Sequence, residues 1–121
     1  SIVLLSSDLG VVAPDQRIYR KLDGDVYKSP AYTTGKHAVI GLAKHVATFW
    51  AEHGVRCNAV SPGPVGPVHS SALEQELQSR IPLKRLATPR EVVAVIKFLL
   101  SDEASFVTGA NYSVDGGRST W

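Results

Sequence analysis

The feature that most limits the fold is one long helical pattern held between two strand-like segments. Residues 1–5 (Ser1-Ile2-Val3-Leu4-Leu5) form an apolar run without alternation, the signature of a strand buried on both faces. Ser29-Pro30 offers an N-cap followed by proline at the first helical position, and a helix is predicted from there to about residue 53, closed by Gly54. Gly54-Val55-Arg56-Cys57-Asn58-Ala59-Val60 reads as a second strand, ended by Ser61-Pro62-Gly63-Pro64. A Pro/Gly/Ser-rich loop runs on to about Ser71, and a short polar helix is predicted over 71–79. Thr88-Pro89-Arg90-Glu91 has the form of a capping box and opens a helix to about Leu100. Gly109 to Val114 reads as a third strand, turned by Asp115-Gly116-Gly117. Residues 8–29, with Gly10, Pro14, Gly24 and many charges, read as loop. Strands alternating with helices in this way argue for an α/β layered sheet in parallel order, and 121 residues make one domain.

The long helix carries more apolar surface than one sheet contact requires. Val39, Ile40, Leu42, Ala43, Val46, Ala47, Phe49 and Trp50 fall within an arc of roughly 200°. Two readings follow: deep burial within one chain, or a helix pressed between its own sheet and a partner subunit. Composition removes other classes. At 44% hydrophobic and 20% charged the chain is ordinary globular protein, not a disordered or low-complexity segment. The single cysteine, Cys57, forms no intrachain disulfide framework and alternates inward on its strand as a small hydrophobe. There is no uninterrupted run of about 18 apolar residues to span a membrane. The 13 Lys/Arg against 11 Asp/Glu are scattered, without the basic face of a nucleic-acid binder. No signal-peptide pattern is visible, and a cytoplasmic protein is expected. The chain has no Met and opens inside an apolar run, which together predict a piece of something longer.

Chemistry-bearing residues gather at three places. In the first turns of the long helix, Tyr32 and Lys36 stand four apart and therefore side by side on one face. A phenol ionises near pH 10 in water and is a poor base at neutrality; a nearby cation and the positive end of a helix both favour the phenolate. Alone, such a pair more often means an amphipathic tyrosine beside a solvated lysine. Upstream, Leu4-Leu5-Ser6-Ser7-Asp8-Leu9-Gly10 puts two hydroxyls at the carboxyl end of a buried strand, where open α/β sheets bind ligands, although serine there also commonly caps a turn. Downstream, Pro62-Gly63-Pro64-Val65 puts a turn on the same rim, which a simple chain reversal would also explain.

In this order the features resemble the C-terminal half of the short-chain dehydrogenase/reductase family. The matching positions run the length of the chain: Ser6-Ser7 with Gly10, Ala31-Tyr32 with Lys36, Asn58-Ala59-Val60-Ser61-Pro62-Gly63, Pro82-Leu83-Lys84-Arg85, Pro89 with Glu91, Val107-Thr108-Gly109 and Val114-Asp115-Gly116-Gly117. The resemblance implies a Rossmann-type doubly wound parallel sheet, three-layer α/β/α when complete. This chain would supply its catalytic half, in a nicotinamide-dependent oxidoreductase acting on an alcohol or ketone with NAD or NADP. It implies that Tyr32 exchanges the proton with the substrate oxygen, that Lys36 favours the ionised phenol and bonds the nicotinamide ribose, and that Ser7, rather than Ser6, orients the substrate oxygen. Pro62, Gly63 and Val65 would lie against the nicotinamide, with the Val65 backbone on its carboxamide. Asn58 would fix backbone, and a homodimer or homotetramer is the implied assembly.

Three departures qualify the resemblance. The Gly-rich phosphate loop, the residue that selects the adenosine ribose and the assisting Asn of an earlier helix are absent from this sequence. The isolated chain is therefore expected to be inactive, or to serve only as a non-catalytic or oligomerising module. Gly66-Pro67 stands where a hydroxyl residue often follows the Pro-Gly loop. An enlarged loop separates Ser7 from Tyr32, and two readings of it stand: Asp15, Gln16 and Arg17 meet a polar, carbohydrate-like substrate, or the loop is a solvated insertion. His37, His45, His53 and His69 show no metal spacing and read as surface residues.

Overall fold

The computed structural model describes residues 1–20, 26–68 and 70–121; Lys21, Asp23, Gly24 and Asp25 of the expected loop, and His69, fall outside the described residues. Three strands, β1 (Ile2–Leu5), β2 (Cys57–Pro62) and β3 (Asn111–Val114), form one parallel sheet in the order β1-β2-β3. Ile2 pairs with Cys57, and Ala59 with Asn111, which brings the carboxyl ends of all three strands to one rim. Among the described residues, α-helices accompany them: α1 (Gln16–Arg20), α2 (Pro30–Phe49), α3 (Ser71–Ser79) and α4 (Pro89–Leu100).

Side chains alternate across the sheet, so each face has its own core. On one face Cys57 and Ala59 pack with Ala43 and Ala47 of α2 and with Leu4. On the other, Val60 packs with Val92 and Leu99 of α4 and with Val3, Tyr112 and Val114. Cys57 is fully buried, and burial pushes its thiol up from the ordinary value. The three layers expected for an α/β sheet are present.

Several boundaries differ from the sequence reading, each for a local reason. The α2 ladder stops at Phe49, because the chain tightens into a 3₁₀ turn over Ala51–His53 before Gly54 takes the left-handed conformation at φ 71°. The second strand consequently starts at Cys57. β1 is not buried on both sides: Ile2 is 40% and Leu5 53% exposed, since the outer edge of the strand has no neighbour among the described residues. Residues 8–29 are not simply loop. Asp8–Gly10 forms a 3₁₀ turn, and α1 buries Ile18 completely against Leu77, Ile81 and Leu86. The charge-rich composition masks that one apolar anchor. Of the wide apolar arc of α2, Ala43 and Ala47 face the sheet, while Leu42, Phe49 and Trp50 are exposed.

Polar groups hold the layers in register. The Asn58 side chain, fully buried, donates to the Val107 carbonyl at 2.9 Å and accepts the Ala110 N–H at 3.1 Å, fixing the approach to β3. The Arg56 guanidinium donates to the carbonyls of Leu99, Ser101 and Val107, closing the C-terminal end of α4. At the other end of that helix, Glu91 accepts the Thr88 N–H at 2.8 Å and two bonds from Arg85.

Two outcomes are expected. A Cβ at Gly10 would stand 2.3 Å from Ser6 Oγ and 2.7 Å from the Lys36 carbonyl oxygen, so Gly10→Ala should destabilise the protein by about 1–3 kcal/mol in chemical unfolding. The Glu91 carboxyl is held down to about 2 from 4.5, chiefly by its hydrogen bonds from Arg85 and then by Thr88. Its folded value lies below its unfolded one, so its contribution is complete above about pH 4.5 and lost as pH falls towards 2. Thermal unfolding of Glu91→Gln should therefore show a deficit near pH 7 that shrinks at about pH 3.

Candidate active site

The end of β1 is tied to the first turns of α2 by a reciprocal pair of hydrogen bonds. Lys36 Nζ donates to the Leu5 carbonyl at 2.9 Å, and Ser6 Oγ donates to the Lys36 carbonyl at 2.7 Å. The close approach of the Asp8–Gly10 turn to the helix leaves no room for a side chain at Gly10. This gives a physical reason for glycine three residues after Ser7. Ser29 caps α2 by accepting the Ala31 N–H at 3.2 Å, and Pro30 opens it, which sets Tyr32 in the first turn. Lys36 Nζ lies 5.7 Å from the centroid of the Tyr32 ring.

Ser7, Tyr32, Gly63 and Pro64 line one cavity of about 230 Å³ at the carboxyl ends of the strands. Successive strand residues point to opposite sides, so Ser6 serves the helix and Ser7 the cavity. The Ser7 hydroxyl also accepts the Leu9 N–H at 3.2 Å and donates to Asp8 Oδ1 at 2.9 Å, which makes it the cap of the 3₁₀ turn as well. Tyr32 is 39% exposed at the cavity mouth. Pro62 ends β2 opposite Val114, and Gly63 passes so close to Asp115 that a Cβ would meet its Cα at 2.8 Å.

Val65 forms a parallel bridge with Ala87. The bonds of that bridge run from the Gly66 N–H to the Ala87 carbonyl at 2.9 Å and from the Ala87 N–H to the Pro64 carbonyl at 3.0 Å. Neither uses the N–H or carbonyl of Val65 itself, which make no hydrogen bond among the described residues.

Asp15, Gln16 and Arg17 do not line the Ser7–Tyr32 cavity. Arg17 clasps Asp15 through Nε at 2.8 Å and Nη2 at 3.0 Å, and Arg80 reaches the same carboxylate at 3.2 Å. These bonds, that from Arg17 foremost, hold the Asp15 carboxyl well below the usual carboxylate range. Asp15 and Arg17 border a neighbouring cavity with Arg80, Arg118 and Trp121. The Gln16 amide is committed to the backbone of Lys28, donating to its carbonyl at 2.9 Å and accepting its N–H at 3.0 Å. His37, His45 and His53 are exposed.

Four residues of the site escaped the sequence reading: Asp8, Tyr19, Lys28 and Arg118 all line the cavity. Asp8 and Arg118 form a buried ion pair, their side chains 5% and 9% exposed. Asp115 makes this pairing possible by accepting the N–H groups of Gly117 and Ser119, while Gly116 and Gly117 adopt positive φ and bend the chain back towards β1. The only signal for Asp8 was a charge at the end of an apolar strand. Burial pushes the Tyr19 phenol up, with Arg118 opposing that shift and Asp8 and Tyr32 adding to it.

Comparison with known proteins agrees with this architecture. A family profile described as enoyl-(acyl carrier protein) reductase matches residues 18–119. Cyclohexanol dehydrogenase of Acinetobacter sp. (strain SE19) is 46% identical over 90 residues, which are 74% of this chain and 36% of that protein. A short chain dehydrogenase from Leptospira borgpetersenii serovar Hardjo-bovis, solved with bound NAD+, superposes with a TM-score of 0.89 at 32% identity, over 98% of this chain and 44% of its own. A 4-hydroxyisoleucine dehydrogenase complexed with NADH gives 0.83 at 30% identity, over 98% and 46%. The fold is that of Rossmann-type oxidoreductases. The chain belongs to the short-chain dehydrogenase/reductase family. It spans less than half the length of the relatives it matches.

The Asp8–Arg118 pair gives a direct test of how the site is held. Arg118→Met leaves a buried carboxylate without its partner and should destabilise the protein by about 3–5 kcal/mol in urea unfolding. Adding Asp8→Asn to it should recover much of that loss. A double variant as unstable as the single one would show that lost packing, not the stranded charge, is responsible.

Proposed function

We propose that the protein carrying this chain is an NAD- or NADP-dependent oxidoreductase that interconverts an alcohol and a ketone on a polar, carbohydrate-like substrate. The chain supplies the catalytic half and is completed by a dinucleotide-binding half. The observation that carries the reading is the convergence of Ser7 and Tyr32 on one cavity, with Lys36 anchored beside it on the Leu5 carbonyl. Family membership supports it, as do the nicotinamide nucleotides bound by the related structures.

The residues fit a nicotinamide group. The unpaired N–H and carbonyl of Val65 match the donor and acceptor of a carboxamide, and Pro62 and Gly63 bring that backbone to the rim. Lys36, with two further N–H donors on its ammonium, is placed for a ribose hydroxyl. When bound, the cofactor supplies hydride transfer. The chain's own residues manage the proton. Ser7 holds the substrate oxygen, and Tyr32 gives the proton to that oxygen or takes it away. The Lys36 ammonium, together with the N-terminal end of α2, favours the ionised phenol. Of the loop residues Asp15, Gln16 and Arg17, Gln16 alone is tied to a residue of this cavity, Lys28. Asp15 and Arg17 border the neighbouring cavity, from which a large polar substrate would meet them.

No described helix is long and apolar enough to cross a membrane. We place the protein in the cytoplasm, as a homodimer or homotetramer in which a second copy covers the exposed Leu42, Phe49 and Trp50 of α2. The 121-residue chain by itself lacks pyrophosphate-binding glycines and is proposed to be inactive alone.

Tyr32→Phe in the full-length protein should lower NAD(P)H-linked turnover by about 10²-fold or more, with circular dichroism unchanged. Near-normal turnover in that variant would overturn the assignment.

A further inference from the structure

The cavity that joins Ser7 to Tyr32 carries an unbalanced charge. Three ionised side chains line it: Asp8, Lys28 and Arg118. Asp8 and Arg118 neutralise each other as a buried ion pair. Lys28 has no carboxylate partner among the described residues. Its ammonium lies 4.0 Å from the centroid of the Tyr32 ring, closer than that of Lys36 at 5.7 Å.

The placement of Lys28 is built into the fold. A half-buried residue in the segment just before α2, it is gripped at both backbone groups by the Gln16 amide, at 2.9 and 3.0 Å. Gln16 in turn belongs to α1, which Ile18 anchors in the core beneath α3. This clamp fixes the backbone from which the Lys28 side chain reaches the cavity. Apolar side chains of Leu9, Leu73 and Leu77 complete the wall, and in such surroundings a cation attracts an anion more strongly than it would in bulk water.

We infer that Lys28 is the substrate-anchoring cation of this site, and that the substrate is a small hydroxy- or oxo-carboxylate whose carboxylate pairs with Lys28 while its reacting oxygen meets Ser7 and Tyr32. One unpaired ammonium matches one monoanion, and as a compact point charge with three donors it accepts a carboxylate without demanding a planar fork. The inference rests on the oxidoreductase reading and narrows its polar substrate to an acid, of which a sugar acid is the carbohydrate-like case and a simple hydroxy acid the smallest. Lys28 sets specificity, Gln16 is its positioning residue, and neither exchanges a proton with substrate.

The test uses the full-length protein with its nicotinamide cofactor and substrates in matched pairs, 3-hydroxybutyrate against its methyl ester and lactate against lactamide. The wild type should prefer the acids. Lys28→Met should lose about tenfold in kcat/KM on the acids, mainly through KM, and less than about twofold on the neutral partners. Lys28→Arg should restore part of the loss. Gln16→Ala should raise KM for the acids alone. Equal losses on acid and neutral substrates, no loss on either, or a wild type that prefers the neutral partners would each overturn the inference. Calorimetric binding of butyrate, which has no hydroxyl to oxidise, separates this from failure of the enzyme reading. Butyrate binding that weakens in Lys28→Met, with butyramide unaffected, supports the carboxylate site even where no turnover is seen. Butyrate binding that is unchanged in the variant overturns it.

Discussion

The site depends on the contact between the end of β1 and the second turn of α2. Lys36 reaches back to the last carbonyl of the strand, Ser6 reaches forward to the carbonyl of Lys36, and Gly10 lets the two backbones close on each other. The residues proposed to be catalytic are positioned relative to that junction. Pleating sends Ser7 to the side opposite Ser6, helical spacing puts Tyr32 one turn before Lys36, and both side chains reach one cavity. A side chain at Gly10 would push the strand end away from the helix and separate the hydroxyl from the phenol.

A second closure comes from far along the chain. The Asp115-Gly116-Gly117 turn folds against Ile81 and Pro82 and returns Arg118 to Asp8, next to Ser7. The cavity floor is thus a buried ion pair joining the first strand to the C-terminal segment. Because this pair is electrically closed, it leaves the charge character of the cavity to Lys28. The enlarged segment between Ser7 and Tyr32 contributes there as well. Two of its polar residues are turned to internal bonds, Asp15 to two arginines and Gln16 to the Lys28 backbone, and Ile18, fully buried, fastens α1 to α3.

Much of the fold was legible in the residues. The strands, α2, α3 and α4 were read close to their observed limits, because apolar runs, serine and threonine caps and proline at first helical positions are local signals. The errors fall where local signals compete with distant packing. α1 is hidden within a charged stretch and depends on Ile18 meeting α3; the exposed edge of β1 reflects the lack of a neighbouring strand among the described residues. For the site, the pairing of Tyr32 with Lys36 follows from helical spacing, while Ser7 and Val65 stand out only through the family resemblance; the structure puts Ser7 and Tyr32 on one cavity. Asp8, Tyr19, Lys28 and Arg118 were not recognisable, since each gains its role from a partner remote in sequence or from a cavity that no spacing predicts.

The sequence by itself determined the order of strands and helices, the helical pairing of Tyr32 with Lys36, and the glycines where backbones approach or take positive φ, all consequences of short-range sterics and hydrogen bonding. Only the tertiary structure decided that Arg118 neutralises Asp8, that Ser6 bonds the Lys36 carbonyl, and that Gln16 holds Lys28 beside the Tyr32 ring. Those outcomes depend on through-space distances between elements, and such distances exist only once the two apolar faces of the sheet have been covered by α2 and α4.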